Sequence, residues 1–203
     1  MTDLVTTRRS LHGVAELLLA GPQHEESGTI RLTVAGAGFE TVAPPRVHVA
    51  EGMVAHGGET VAIDGRTARE LGRLLGVEPS SLEGLYSDGS GIGPDEVLLV
   101  DAAHARHVLA ALSRGAAALR SFRPDVEPVL WPEHFDVGIT VDEVNFGVSA
   151  GDGFLPVPYA YVGPHGAFSG PFWNAPFGAA RPLDELPDLA GWFAEGAAVG
   201  AGL

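Results

Sequence analysis

The amino-acid sequence predicts an α+β protein in which antiparallel strand groups pack against helices, forming one compact unit of two subdomains. Three observations lead to that class. Apolar residues recur at helical spacing near both ends and in the middle of the chain. Short β-rich segments with period-two alternation lie between them, and the regular strand–helix–strand alternation of a parallel sheet is missing.

Leu11, Val14, Ala15, Leu18 and Leu19 share one helical face and Gly21-Pro22 is a stop signal, so a first helix is expected over about residues 7–20. Segments 29–34, 46–50, 53–55 and 60–63 are short, β-rich and separated by Gly and Pro, the pattern of an antiparallel meander. Thr67-Ala68-Arg69-Glu70 is a capping box, and Leu71, Leu74 and Leu75 follow before Gly76, which predicts a short helix. Residues 78–95 read as loop and 97–100 as a buried strand. Asp101 then caps a long helix with the stripe Ala105, Val108, Leu109, Leu112, Ala116 and Leu119. Residues 121–128, with two prolines, are the expected joint between an N-terminal helix/meander/helix part, 1–123, and a C-terminal, mainly antiparallel β part, 124–203. Leu189, Trp192 and Phe193 mark a closing helix over 188–197, and the small-residue tail 196–203 is expected to fray.

The 203 residues are 45% hydrophobic, enough for a domain core and too apolar for disorder. The chain is acidic: 26 Asp and Glu face 12 basic residues, all of them Arg, for a formal charge of −14. With no lysine, Schiff-base and P-loop lysine chemistry is excluded. With no cysteine, so are disulfides, thiol nucleophiles, iron–sulfur clusters and thiolate zinc sites. Residues 1–123 hold 15 acids and 11 Arg, whereas 124–203 hold 11 acids and Arg181 alone, which suits neither nucleic acid nor an anionic membrane. No apolar run is long enough to span a bilayer, and the first residues lack the apolar core and cleavage site of a signal peptide. The expectation is a cytoplasmic protein.

Chemistry concentrates after Trp131. Phe135, Val137, Ile139 and Val141 alternate with polar residues, as do Val144, Phe146 and Val148. If Asp142-Glu143 is a two-residue turn, Val141 opposes Val144, Ile139 opposes Phe146, and Val137 opposes Val148, so every apolar residue meets an apolar one. Asp-Glu is not an ideal primed turn, and a slightly longer loop would preserve the facing. The other face of this hairpin then gathers His134, Asp136, Thr140, Asn145 and Ser149. A following strand carries Tyr159 and Tyr161 on one face, and Trp173 lies beyond it. Polar groups bordered by aromatic walls describe a small-ligand pocket. His134 supplies acid/base capacity or a metal ligand, with Asp136 as its partner, while Asn145, Ser149, Tyr159, Tyr161 and Trp173 orient and enclose the ligand.

The same stretch, Trp-Pro-x-His-Phe-Asp over 131–136, Glu-x-x-Asn-Phe-Gly-x-Ser-x-Gly-Asp over 143–152, Pro-x-Pro-Tyr-x-Tyr-Val over 156–162 and Trp173, resembles an uncharacterised, largely actinobacterial protein family with a domain of unknown function. The resemblance covers roughly residues 128–196. It implies no assigned activity, so no catalytic residue is carried over from it.

Other features carry less. His104 and His107 are neighbours on a helix but read as solvated, so no metal site is assigned and the cofactor remains open. The glycine-rich stretch 88–95 lacks the spacing of a phosphate cradle, and no Gly-x-Ser-x-Gly elbow occurs. The rival reading is a non-enzymatic structural or protein-interaction module, with Trp131, Pro132 and His134 anchoring the β unit and the aromatics serving core packing or homo-oligomer contacts. The two readings part on His134: a buried, satisfied anchor, or a side chain reaching solvent at a cavity.

Overall fold

Asp3 opens the first helix, its carboxylate accepting the Thr6 amide at 2.7 Å, and α1 runs Leu4–Val14. These elements are taken from a computed structural model that describes residues 2–201. The helix does not end at Gly21-Pro22. A π-helical turn, Ala15–Ala20, carries it into α2, Gly21–Ser27, which stops at Gly28 in the left-handed conformation (φ 71°). In the wide turn the Gly21 amide bonds back to the Glu16 carbonyl, five residues earlier. Pro22 therefore opens a new first turn, where its missing N–H leaves no bond unmade.

Five strands follow as a meander: β1 Leu32–Ala35, β2 Gly38–Thr41, β3 His48–Ala50, β4 Met53–His56 and β5 Glu59–Ala62. β2 was not expected, because Gly-Phe-Glu-Thr offers one large apolar residue and no alternation to read. α3, Ala68–Leu75, has the expected reciprocal capping box and a left-handed Gly76. Residues 97–100 are not the expected buried strand: Leu98 and Val100 are buried but Val97 and Leu99 are exposed, and the segment makes only an isolated bridge between Thr67 and Val97. Their amides go elsewhere: Leu98 to the Arg66 carbonyl (2.8 Å), Leu99 to Ser10 Oγ (3.0 Å) and Val100 to Asp64 Oδ1 (2.8 Å).

α4, Ala102–Phe122, is capped by Asp101 as expected. The C-terminal part is a second meander, β6 Val129–Trp131, β7 Asp136–Val141, β8 Val144–Ser149, β9 Tyr159–Pro164 and β10 Ala179–Pro182, closed by α5, Leu189–Gly200. The tail expected to fray from residue 196 is helical to Gly200, where Gly196 packs against Val162; Gly202 and Leu203 lie outside the described residues. The expected hairpin register holds pair for pair from Asp136↔Ser149 to Val141↔Val144. Asp142 and Glu143 make the two-residue turn themselves, both in the left-handed region (φ 50° and 62°), without the glycine such a turn favours.

The two strand groups join in one ten-stranded antiparallel sheet, β10-β9-β8-β7-β6-β1-β2-β3-β4-β5, with β1 and β6 meeting at Leu32↔Leu130. One face carries the core: Leu32, Phe39, Leu130, Val137, Phe146, Val148 and Val162 are all buried there. α4 covers it over β1, β2, β7 and β8, and α5 covers it over β8 and β9. The approach of α4 depends on Gly115, where a Cβ would lie 2.7 Å from Val148 Cβ and 2.9 Å from a Val137 methyl.

Gly115→Ala is therefore expected to destabilise the protein in urea unfolding. Alanine gains about 1 kcal/mol of helix propensity, but overpacking against two stiff valines costs about 1–3 kcal/mol. A stabilised variant would show that α4 can lift from the sheet freely.

Candidate functional site

The sheet face away from α4 is lined in its C-terminal half by Asp136 and Gly138 on β7, Asn145, Gly147 and Ser149 on β8, and Tyr159 and Tyr161 on β9, set side by side by the register. Over it lies a cavity of about 1030 Å³, at the upper limit of ordinary small-molecule sites. Its walls come from α1 (Arg8, His12), the 88–90 loop, the 151–154 loop and the 165–177 loop.

Tyr161 forms the floor. Its partners across the sheet are Gly147 and then Gly138, and a Cβ on Gly147 would lie 2.4 Å from the phenol. With no side chain at either glycine, the ring lies flat across β8 and its hydroxyl donates to Asp136 Oδ2 on β7, two strands and roughly 10 Å away. A second phenol–carboxylate pair runs beside it: Tyr159 donates to Asp152 Oδ2 at 2.5 Å. The two carboxylates differ in what else they hold. Asp152 Oδ1 accepts the Phe154 and Leu155 amides (2.8 and 3.0 Å), whereas Asp136 Oδ1 is buried with no partner. Burial pushes the Asp136 carboxyl above the usual carboxylate range, against the opposing effect of the Tyr161 bond, and burial beside Asp136 pushes Tyr161 well up.

His134 is not in the strand. It belongs to the four-residue loop 132–135 between β6 and β7, and its side chain is 55% exposed, so it is not a buried anchor. Phe135 bends that loop by taking a left-handed backbone (φ 51°), rare for a bulky residue, which sends its ring to the core side. There it stacks on His12, with ring centroids 5.4 Å apart, while His134 and Asp136 both emerge at the cavity.

Of the residues expected at the site, His134, Asp136, Asn145, Ser149, Tyr159 and Tyr161 line this one cavity. Asn145 Oδ1 accepts from Thr140 Oγ1 (2.7 Å) and from His165 Nε2 (3.2 Å), and Ser149 Oγ accepts the Gly151 amide (3.1 Å). Trp173 is not at the cavity: it packs against Phe168 and Phe172, and Phe172 stacks on Trp192 of α5. Phe168, Phe154 and Phe177 supply apolar wall instead.

Sequence reading missed Arg8, His12, Asp88, Asp152 and His165. Asp152 closes the 143–152 motif and Asp88 opens the glycine-rich stretch 88–95, but Arg8 and His12 are ordinary helix residues until the fold brings α1 beside the 150s loop. Arg8 Nη1 donates to the Pro156 carbonyl at 2.9 Å, and burial lowers its pKa against the pull of Asp152. His12 Nε2 donates to the Pro132 carbonyl at 2.6 Å, which fixes the tautomer and leaves Nδ1 as the basic nitrogen. Glu16, on the π-helical turn, accepts Tyr86 Oη and the Ser90 amide (both 2.9 Å), and Arg9 Nε donates to the Ser90 carbonyl (3.1 Å). The 88–90 wall is thereby tied to the helix.

Comparison with protein-family models, with curated proteins and with solved structures finds no match to this chain.

Two outcomes are expected. Gly147→Ala should displace the Tyr161 ring and cost about 1–3 kcal/mol in denaturant unfolding, and adding Tyr161→Phe should not restore the loss, because the ring rather than the hydroxyl is in the way. His12 bears on pH. Burial holds its imidazole below the ordinary 6.5, reinforced by His134 and Arg8 and opposed by Glu16. The unfolded chain therefore takes up a proton near that pH which the folded protein refuses. The stability from neutral His12 is complete above the unfolded value and is lost as pH falls. His12→Gln, which can still donate to Pro132, should make the fall in melting temperature between about pH 7.5 and pH 5 shallower; an unchanged slope would assign acid sensitivity to other groups.

Proposed function

We propose that the cavity on the polar face of the 134–149 hairpin binds a small molecule, with His134 and Asp136 positioned for acid/base chemistry on it. The observation that carries this reading is the Asp136 carboxyl. It lines the cavity, one oxygen is held by Tyr161, and the other is buried without a partner. A buried acceptor left unpaired is costly, and a ligand group that satisfies it recovers that cost. The neighbouring Asp152 is bonded at both oxygens, one by two backbone amides and the other by Tyr159, which supports a structural role for that pair and a chemical one for Asp136.

A thermal-shift screen of polar metabolites on the full chain tests the reading. A compound at a hundred times its Kd adds about 2.7 kcal/mol to the folded state, a shift of several degrees. Asp136→Asn keeps the shape and can still accept from Tyr161. His134→Ala removes an exposed side chain and should change stability by no more than about 0.5 kcal/mol. Both variants are expected to fold and to lose most of the ligand shift. Shifts identical to wild type in both, or a wild type that no compound moves, would overturn the pocket.

One observation favours the rival, a non-enzymatic interaction module. Phe154 and Phe177 are 48% and 37% exposed and meet edge to face at 5.1 Å on the cavity rim. A protein that binds no compound but self-associates in sedimentation, with association lost in Phe154→Ser, would support that reading.

A further inference from the structure

We propose that Asp88 and His134, which line this cavity, together with the adjacent Glu133 form a site for a divalent transition-metal ion such as Zn²⁺ or Mn²⁺. The inference builds on the binding-site reading of the cavity and adds an inorganic partner to it.

One carboxylate oxygen from each acid and one ring nitrogen of the histidine lie within 4.8 Å of one another, close enough for a single ion to bond all three. Among the described residues this is the one group of three or more such ligands with that spacing. It is drawn from two chain segments that are anchored separately. Asp88 sits on the loop held by Glu16 and Arg9, and Glu133 and His134 sit on the hairpin loop held by the bond from His12 to the Pro132 carbonyl. The donors are thus brought together by the fold and not by adjacency along one flexible segment.

The charges around the group are uncompensated. Asp88 and Glu133 are like charges close together, and neither pairs with an arginine. Arg9, which donates to the Ser90 carbonyl beside this loop, is taken up by Glu96. Nor does His134 hold either acid: its Nε2 stands 3.8 Å from Glu133 Oε1, beyond hydrogen-bonding distance. A cluster of exposed acids alone says little. Here a second observation points the same way, because Asp136, 6% exposed with Oδ1 unpartnered, lines the same cavity two residues beyond His134. Among the described residues no arginine pairs with Asp88, Glu133 or Asp136, and Asp136 Oδ1 stays enclosed without a partner behind them.

The donor set selects the ion. An imidazole with two carboxylates suits Zn²⁺ and Mn²⁺, whereas Mg²⁺ and Ca²⁺ favour oxygen alone. Three protein ligands leave coordination positions open toward the cavity, so an ion here can hold a ligand oxygen and polarise it within reach of the residues behind.

The test is isothermal titration of chelator-stripped full-length protein with ZnCl₂, MnCl₂ and MgCl₂, together with the visible absorption of Co²⁺ as a report on imidazole and carboxylate coordination. One equivalent of Zn²⁺ or Mn²⁺ is expected to bind, with Mg²⁺ at least tenfold weaker. His134→Ala and Asp88→Asn, both at exposed positions, should each reduce affinity at least tenfold with unchanged circular dichroism. The other seven histidines can bind Zn²⁺ adventitiously, so Zn²⁺ or Mn²⁺ binding that survives both substitutions would overturn the assignment. No binding by wild type, or equal binding of Mg²⁺, would do the same. These outcomes are separable from failure of the pocket itself. A metabolite shift lost in Asp136→Asn but indifferent to chelator leaves the pocket standing without the metal.

Discussion

The hydrogen bond from Tyr161 to Asp136 is the contact around which the cavity is organised. It spans two strands, which is possible only because Gly147 and Gly138 face each other beneath the ring. The phenol then does three things at once: it covers part of the sheet face that α4 and α5 leave open, it supplies an apolar floor, and it holds one oxygen of a buried carboxyl that would otherwise have no partner. Remove the glycine pair and the ring must stand up into the cavity. Remove the ring and the carboxyl faces a void.

The uneven coverage of the sheet explains why a cavity exists here. Antiparallel sheets tolerate water on one face, and α4 and α5 take only the other. On the open face the loops that would close a second core close only a small satellite, with Tyr159, Ala175 and Ala180 buried and Leu155 and Tyr161 packed against them. The rest stays hollow because its lining is polar and already partly bonded along the walls. Asn145 is engaged by Thr140 and His165, Ser149 by Gly151, and Asp152 by two amides and a phenol. Side chains fixed in that way resist collapse into the space, which is the preorganisation a binding site needs.

Much of this half of the molecule was legible in the sequence. Strict alternation in 137–148 and a centre of symmetry at Asp142-Glu143 leave one register in which apolar meets apolar, and the polar face follows by parity. The same logic failed where backbone needs were met by side chains. Residues 97–100 look like a strand, but Ser10 and Asp64 take the amides a ladder would use, and no local pattern announces such partners. Gly21-Pro22 looks like a stop because the π-helical turn before it cannot be read from residue types. Trp173 was placed by its position after β9, and its indole goes instead to the aromatic cluster of Phe168 and Phe172. Arg8 and His12 reach the site from more than a hundred residues away, and their contribution is a property of the fold alone.

Several positions where local rules are broken border the cavity, although Glu51 in the β3–β4 turn (φ 52°) breaks one outside its lining. Phe135 takes a backbone that bulky residues avoid, and it separates the cavity-facing His134 and Asp136 from the core. Asp142 and Glu143 make a left-handed turn without glycine, and the Glu143 carbonyl in it accepts the amide of His165, a wall residue. The π-helical turn presents Glu16, which holds the opposite wall through Ser90. Asp136 keeps an oxygen unpaired at the floor. Each of these is unfavourable when judged by its own neighbourhood, and folded sequences are otherwise consistent from propensity to packing. Such exceptions persist where the surrounding structure over-determines them and where geometry is needed for something other than stability. Here Asp136 lies in the cavity lining, while Phe135, the Asp142-Glu143 turn and Glu16 hold the segments that wall it, so these exceptions fix the shape of this face.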